Sequence, residues 1–420
     1  MDTEASENLI NFKKVYHFLM AYFPIWEKEV LNYYPDSYDH FPRAWVDQLL
    51  NLSETEKWHL DSKQSFDSVA ETDLGELFVN IKNLGSLIER VKIDETKLSI
   101  KEATGLKIKK QHEIEKLNAF LEKQKKLSSN QFPTSFFDIG GGKGHLSRLL
   151  SQKLNMSGSC IEMNSDFIFK GEKLLKGQKV RFVHAKLPEN NSEESKNILK
   201  ENKIEKNELC IGLHTCGPLA NSILKACVEN HQEHILNFGC CYLKLTPGSE
   251  IGISAASKKY PLPLSKYALT LATRAHTGLS WDDYLMKRKV KSYRYGIHLF
   301  LYYQLNLKTF INVGDGKKLD YEKPFSTYVL KKLKHLNIKS NLTEKEIDRW
   351  FKSSTVQLKI SEMFCMNIIR WQFGRLIELW ILLDRALYLE ENNFKVKVGE
   401  YFDEKISPRN IGIYAQKVSE

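Results

Sequence analysis

Residues 136–148 have the sequence Phe-Phe-Asp-Ile-Gly-Gly-Gly-Lys-Gly-His-Leu-Ser-Arg, and this stretch decides the fold. An apolar run enters a glycine-rich turn, and leucines then recur at helical spacing as far as Leu154. A strand, a glycine turn and a helix in this order are typical of the first βα unit of a nucleotide-binding fold. Glycines let a ligand lie against the backbone, and the helix start offers free N–H groups. We therefore predict an α/β fold with a ligand site at this turn.

The spacing of the glycines excludes two common ligands. A phosphate-binding P-loop needs Gly-x-x-x-x-Gly-Lys followed by Ser or Thr, but Phe137 holds the place of the first glycine and Gly144 follows the lysine. A dinucleotide fingerprint needs Gly-x-Gly-x-x-Gly, but counted from Gly140 its last position is His145. The ligand of this turn is therefore of another kind.

The pattern that remains is Asp-x-Gly-x-Gly-x-Gly, which begins at Asp138. A carboxylate at the strand end suits a ligand with an amino group, such as the methionine part of S-adenosylmethionine. A second predicted strand, 158–162, ends in Glu162 at about the interval expected for a ribose-binding carboxylate. We expect Glu162 to accept hydrogen bonds from both ribose hydroxyls. The alternative is that Glu162 is a solvated acid and the glycines form a generic turn. The predicted cofactor residues here are Asp138, Gly140, Gly142, Lys143, Gly144 and Glu162.

A predicted helix lies directly before the first strand and runs to about Lys126. In such folds this helix crosses the cofactor pocket, so Lys109, Lys110 and His112 could meet the cofactor carboxylate or an incoming substrate. We assign Lys109 and His112 to the cofactor site. The alternative is that they are surface charges on an amphipathic helix.

Three further strands are predicted over 180–184, 209–213 and 235–242. The first of them ends in His184, which we also assign to the cofactor site. Ligands bind beyond the carboxyl ends of parallel strands, so His214 and Cys216 are expected to face the pocket and are the candidate catalytic residues. A histidine there could take a proton from a substrate nucleophile near neutral pH.

The residues His214, Cys216, Cys240 and Cys241 follow adjacent strands and raise the hypothesis of a zinc site. We predict no metal, because Cys240 and Cys241 are consecutive and neighbouring side chains of a strand point to opposite faces. A packed rim of low polarity is the alternative that the sequence favours.

Four segments follow from the patterns along the chain. Residues 1–102 are predicted to be helical, 103–246 to form the cofactor-binding core, 247–390 to form a mostly helical insertion, and 391–420 to close the sheet as a hairpin. The last two strands have a short direct connection and should therefore pair antiparallel.

The insertion contains residues 287–295, which mix basic and aromatic side chains. This composition can hold phosphates and stack bases, as in RNA binding. A helix with one basic face explains the same residues, and the sequence favours this second interpretation.

Composition limits the class of protein. The chain has 62 Lys and Arg against 52 Asp and Glu, a formal net charge of +10 that favours an anionic partner. Its seven cysteines are odd in number and lie mostly in apolar runs, which is typical of reduced thiols in an intracellular protein. The acidic start, residues 1–4, predicts no secretory signal, and charged residues interrupt the most apolar late segments. We expect a cytoplasmic protein, with the nucleus possible, and no membrane partner.

The chain also resembles a known family, the methyltransferase-like protein 25 group of class I S-adenosylmethionine-dependent methyltransferases. Five blocks carry the resemblance in the same order along the chain, and Leu-His-Thr-Cys-Gly with Cys-Cys-Tyr is more specific than the glycine motif. The resemblance implies a cofactor site at Asp138, Gly140, Gly142 and Glu162, and it names no substrate. The blocks are residues 109–113, 138–148, 212–217, 239–242 and 402–410.

These observations lead to one fold and two functions. The predicted fold is a Rossmann-like seven-stranded class I methyltransferase sheet with one antiparallel strand, with a helical N-terminal region and a helical insertion before the last two strands. The first function is methyl transfer from S-adenosylmethionine to a macromolecular acceptor, RNA or protein. The alternative is a non-catalytic module that keeps the fold and binds RNA or a protein.

Overall fold

The computed structural model describes residues 5–128, 132–188, 191–248, 251–274 and 279–418. It contains a seven-stranded sheet with the spatial order β3-β2-β1-β4-β5-β7-β6. The strands are β1 (Ser135–Ile139), β2 (Ser157–Glu162), β3 (Val180–His184), β4 (Leu209–Thr215), β5 (His234–Gly239), β6 (Phe394–Glu400) and β7 (Ile411–Lys417).

Strands β1 to β5 are parallel, and β7 pairs antiparallel with both β5 and β6. The order reverses at β1, which lies between β2 and β4. In an open α/β sheet, ligands bind beyond the carboxyl ends of the strands at such a switch point. The predicted Rossmann-like fold with one antiparallel strand is therefore confirmed.

The other long regular elements of the described residues are α-helices. They are α1 (Glu7–Ala21), α2 (Phe23–Trp26), α3 (Val30–Tyr33), α4 (Arg43–Leu50), α5 (Glu54–Asp61), α6 (Asp73–Gly85), α7 (Ile100–Ala103), α8 (Ile108–Ser128), α9 (His145–Leu154), α10 (Ser165–Leu175), α11 (Ser192–Glu201), α12 (Pro218–Glu229), α13 (Ala255–Lys259), α14 (Lys266–Arg274), α15 (Trp281–Tyr303), α16 (Phe325–His335), α17 (Glu344–Phe351), α18 (Ser354–Trp371) and α19 (Gly374–Glu390).

The chain divides into two compact units, and each is built from separate stretches of sequence. The sheet unit contains Met1–Ala21, Lys82–His276 and Gly374–Glu420, and the helical unit contains Tyr22–Ile81 and Thr277–Phe373. The four segments proposed from sequence are continuous, so they do not correspond one to one with these units and remain a prediction.

Each unit has its own hydrophobic core. In the sheet unit, α8 and α9 pack against β1 and β4 through residues such as Leu117, Phe136 and Leu149, all of which are fully buried. In the helical unit, α15 and α16 meet through Ile297, Phe300 and Val329. Burial of apolar surface is the main force that holds each unit together.

Within the described ranges, we find no helix that combines the length and the apolar character needed to cross a membrane.

Candidate functional site

The glycine turn after β1 has room for a ligand against its backbone. Gly140 and Gly142 have φ values of +67° and +63°, which favour glycine. Among the described residues other than the glycine and its two chain neighbours, no heavy atom lies within 4 Å of the position that a Cβ would take at either residue. The turn leads into α9 through Gly144, so the first N–H groups of the helix lie beside it. The turn therefore has the open backbone that the sequence predicts.

Glu162 lies at this turn. Its Oε2 accepts a hydrogen bond from the Gly142 N–H at 3.0 Å, and its Oε1 accepts one from the Asn164 N–H at 2.9 Å. The side chain is 8% exposed. Each carboxylate oxygen can accept more than one hydrogen bond, so these bonds leave acceptor capacity for a ribose. The structure brings Glu162 and the glycine turn together, and the contact with ribose stays a prediction.

Asp138 lies beneath the turn. Its Oδ2 accepts a hydrogen bond from Ser147 Oγ at 2.8 Å, and the side chain is 2% exposed. Burial raises the pKa of Asp138, and the Ser147 hydroxyl acts in the opposite direction. In this conformation Asp138 ties β1 to the first turn of α9, and its contact with a cofactor amino group stays a prediction.

The other predicted cofactor residues differ in their exposure and in their contacts. Lys143 and His184 are exposed; His184 stands opposite Glu162 in the β2–β3 pair and its Nε2 is 3.1 Å from the Met163 carbonyl oxygen. His112 is turned towards the protein, because its Nε2 accepts a hydrogen bond from the Asp403 N–H at 2.9 Å. Lys109 forms an ion pair with Glu113, with 3.6 Å between the charged atoms.

Glu113 is a site residue that sequence reasoning missed. Its Oε2 is 2.9 Å from His214 Nε2, and its Oε1 accepts a hydrogen bond from Ser407 Oγ at 2.7 Å. The side chain is 1% exposed. Burial alone would raise the pKa of Glu113, but the hydrogen bonds from His214 and Ser407 and the Lys109 charge hold it below its usual value. Glu113 is thus a buried carboxylate that orients His214.

The backbone at His214 explains how this contact forms. His214 has a φ of +67°, which is unusual for a residue other than glycine. The β4–β5 register shifts between Leu213 and Thr215, so His214 sits in an irregularity near the end of β4. Bulges of this kind redirect a side chain, and they are frequent next to active sites. The sequence shows Glu113 as an acidic residue on the predicted helix before β1. It does not show that the partner of Glu113 is His214, which is 101 residues away.

The three cysteines after β4 and β5 lie together. Cys216 Sγ is 3.1 Å from Cys240 Sγ, which is 3.7 Å from Cys241 Sγ. The hydrogen bond from the Cys240 thiol lowers the pKa of Cys216 to about 6, and the same contact raises the pKa of Cys240. Strand β5 ends at Gly239. Cys240 and Cys241 are therefore outside the strand, and the alternation argument used against a metal site starts from a wrong premise.

The basic and aromatic residues of 287–295 are mostly engaged inside the helical unit. Lys287 pairs with Asp61 and Lys291 with Glu29, at 2.8 Å and 2.6 Å. Arg288 and Arg294 have carboxylate partners as well, and Tyr293 and Tyr295 are buried. The interpretation as a structural helix is therefore favoured over that of an open RNA-binding face.

Comparison with known proteins agrees with the fold. Residues 109–248 match the family model of the methyltransferase domain Methyltransf_32. This segment contains β1 to β5, the glycine turn, Glu162 and His214. The sheet unit therefore contains a class I methyltransferase domain, and its cofactor is S-adenosylmethionine.

The chain is also similar in sequence to a curated human protein. The chain is 27% identical over 223 residues to the human probable methyltransferase-like protein 25, across 50% of this chain and 37% of that protein. The resemblance that the sequence motifs indicate is thereby confirmed. The chain spans little more than a third of the length of this relative.

One solved structure aligns along nearly the whole chain. It is a coclaurine N-methyltransferase bound to N-methylheliamine and SAH, at 12% identity and a TM-score of 0.25, with 96% of this chain and 99% of that chain covered.

Proposed function

We propose that the chain transfers a methyl group from S-adenosylmethionine to a macromolecular acceptor, RNA or protein. One observation supports this proposal most strongly: the open glycine turn, which is hydrogen-bonded to Glu162, lies at the same edge of the sheet as His214. The Glu113 carboxylate is hydrogen-bonded to His214 Nε2. A cofactor site and a proton acceptor at neighbouring strand ends are what such a transfer needs.

The glycine turn and Glu162 have different roles in binding the cofactor. The open backbone at Gly140 and Gly142 admits the cofactor, and Glu162 accepts hydrogen bonds from its ribose. S-adenosylmethionine supplies an electrophilic methyl group when bound. Alignment of the acceptor with that group provides much of the rate enhancement, because direct displacement depends strongly on orientation.

His214 is the proposed base. Its Nε2 faces the Glu113 carboxylate, which can only accept a hydrogen bond when ionised, so the proton of the neutral imidazole lies on Nε2. Nδ1 is then the nitrogen that takes a proton from the acceptor nucleophile. Glu113 acts through His214 and is a positioning residue.

The test uses a radiolabelled methyl donor with cell extract, followed by separate digestion with nuclease and protease. We expect label in one of the two fractions with the wild-type chain, and its loss in His214→Ala while calorimetry shows retained binding of S-adenosylmethionine. Absence of binding by the wild-type chain would overturn the proposal. Binding without transfer in any extract would favour the alternative, a non-catalytic module that keeps the fold.

A further inference from the structure

The thiol cluster Cys216, Cys240 and Cys241 has the geometry of a metal site. The three sulfur atoms all lie within 4.8 Å of one another; Cys240 Sγ is 3.1 Å from Cys216 Sγ and 3.7 Å from Cys241 Sγ. Tetrahedral zinc with Zn–S bonds of about 2.3 Å places its sulfur ligands about 3.8 Å apart. Small rotations of these side chains are therefore enough to reach coordination distance.

The backbone makes this convergence possible. Cys240 and Cys241 follow the last residue of β5, and Cys241, with φ −2° and ψ 58°, begins a tight helical turn over Tyr242–Lys244. The chain thus leaves the sheet at the point where the two cysteines occur, and their side chains need not alternate. Cys216 lies just beyond the end of β4, the strand next to β5.

The surroundings of the cluster suit a soft divalent ion. Thiolate is the ligand that zinc and other soft metals prefer. Three thiolates around a divalent ion leave one net negative charge, and the nearby Lys244 ammonium, which lowers the pKa of Cys216, offsets it. Cys216 and Cys241 are half-buried, so an ion can reach the cluster.

The other cysteines do not share these features. Cys160, Cys210, Cys227 and Cys365 are buried. Across the described ranges, the cluster is the only group of three or more His, Cys, Asp or Glu side chains whose ligand atoms converge in this way.

We propose that Cys216, Cys240 and Cys241 bind one Zn²⁺ ion as thiolates. Three protein ligands leave the fourth position of the tetrahedron for water or an incoming donor atom, as in zinc sites that are open to exchange. Binding replaces the thiol protons by bonds to the metal, so it releases protons and involves no oxidation. The proposal concerns binding alone and is independent of the proposed methyl transfer.

The test is a titration of the full chain, reduced and freed of metal, with Zn²⁺ against a chromophoric chelator. We expect one saturable equivalent, and Co²⁺ in its place should give thiolate-to-metal charge-transfer absorption. Cys216→Ser and Cys241→Ser should each weaken binding by about 100-fold or more, beyond the usual effect of losing an outer-shell partner. The matched control is Cys365→Ala in the helical unit, which should bind like wild type.

Three outcomes would overturn the proposal. They are the absence of a saturable equivalent in the reduced wild-type chain, unchanged affinity in both serine variants, and an equal loss in Cys365→Ala. Circular dichroism of each variant separates loss of binding from loss of folding. If Cys240→Ser, whose parent side chain is 5% exposed, does not fold, the two half-buried positions still decide the question.

Discussion

Nε2 of His214 lies 2.9 Å from Oε2 of Glu113, although 101 residues separate them in the chain. The carboxylate comes from α8, ahead of the sheet, and the imidazole comes from the end of β4. Ser407, just before β7, holds the other carboxylate oxygen. Three distant parts of the sequence thus fix the direction of one ring.

The first prediction concerns Glu113→Gln. A neutral amide carries no charge and can donate as well as accept a hydrogen bond, so it no longer leaves His214 Nδ1 as the free acceptor in the way that the carboxylate does. Methyl transfer should therefore fall by about 100-fold or more, the usual range for loss of acid–base assistance. Binding of S-adenosylmethionine should change little, and the pH profile of turnover should shift. Glu122→Gln, on the same helix and 43% exposed at its side chain, is the control. An unchanged turnover and pH profile would remove Glu113 from the site.

The second prediction concerns Glu162→Gln. The amide replaces one acceptor oxygen by a donor, so it cannot accept from both Gly142 and Asn164 as the carboxylate does. Loss of a hydrogen bond to a charged group costs about 1.5–3 kcal/mol, which corresponds to about 10–100-fold weaker cofactor binding. Calorimetric titration measures this. Glu172→Gln on the exposed side of α10 is the control, and equal affinities of the two variants would contradict the assignment.

The third prediction separates backbone strain from ligand contact at the glycine turn. Gly142→Ala places a methyl group in open space at a φ of +63°, so it should destabilise the fold by about 1–2 kcal/mol and also weaken cofactor binding. Gly177→Ala has the same kind of backbone, with φ +79° and open space, but follows α10. It should lose similar stability and keep full affinity. Equal affinity losses in both variants would show that strain alone is responsible.

The fourth prediction concerns pH and the helical unit. Burial would raise the pKa of Glu29, but the charges of Lys291 and Arg370 lower it from 4.5 to about 2. A carboxyl group whose pKa is lowered by folding stabilises the folded state fully at pH values above its pKa in the unfolded chain. This stabilisation is lost as the pH falls from 4.5 towards 2. A shift of this size corresponds to about 3 kcal/mol at neutral pH.

Glu29→Gln should therefore lose about 3 kcal/mol of unfolding free energy at pH 7 and much less at pH 3, measured by urea unfolding. Glu344→Gln, exposed at the start of α17, is the matched control and should stay close to wild type at both pH values. A loss in Glu29→Gln that does not depend on pH would contradict the explanation.

The features that the sequence predicts correctly depend on local patterns. Strand β3 has the predicted bounds, and the glycine turn and Glu162 meet because a motif and its spacing determine them. The antiparallel pairing of β6 and β7 follows from a short connection, and it is confirmed.

The features that sequence reasoning misses depend on distant partners. The sequence gives no sign that His112 Nε2 accepts a hydrogen bond from the Asp403 N–H, and the contact of His112 with a cofactor stays a prediction. The basic residues of 287–295 have the composition of an RNA-binding face in the sequence. The structure shows that they pair with distant carboxylates such as Asp61 and Glu29. The directions of the Cys240 and Cys241 side chains depend on which residue ends β5. The ends of elements are the least certain part of any prediction from sequence.

The placement of β7 between β5 and β6 has a consequence for synthesis of the chain. Strand β5 leaves the ribosome about 170 residues before β7, its neighbour in the sheet. At about 5–20 residues per second, the free edge of β5 therefore waits on the order of ten seconds or more for its partner. Because an unpaired edge can add a foreign strand, β5 is open to mispairing during this interval.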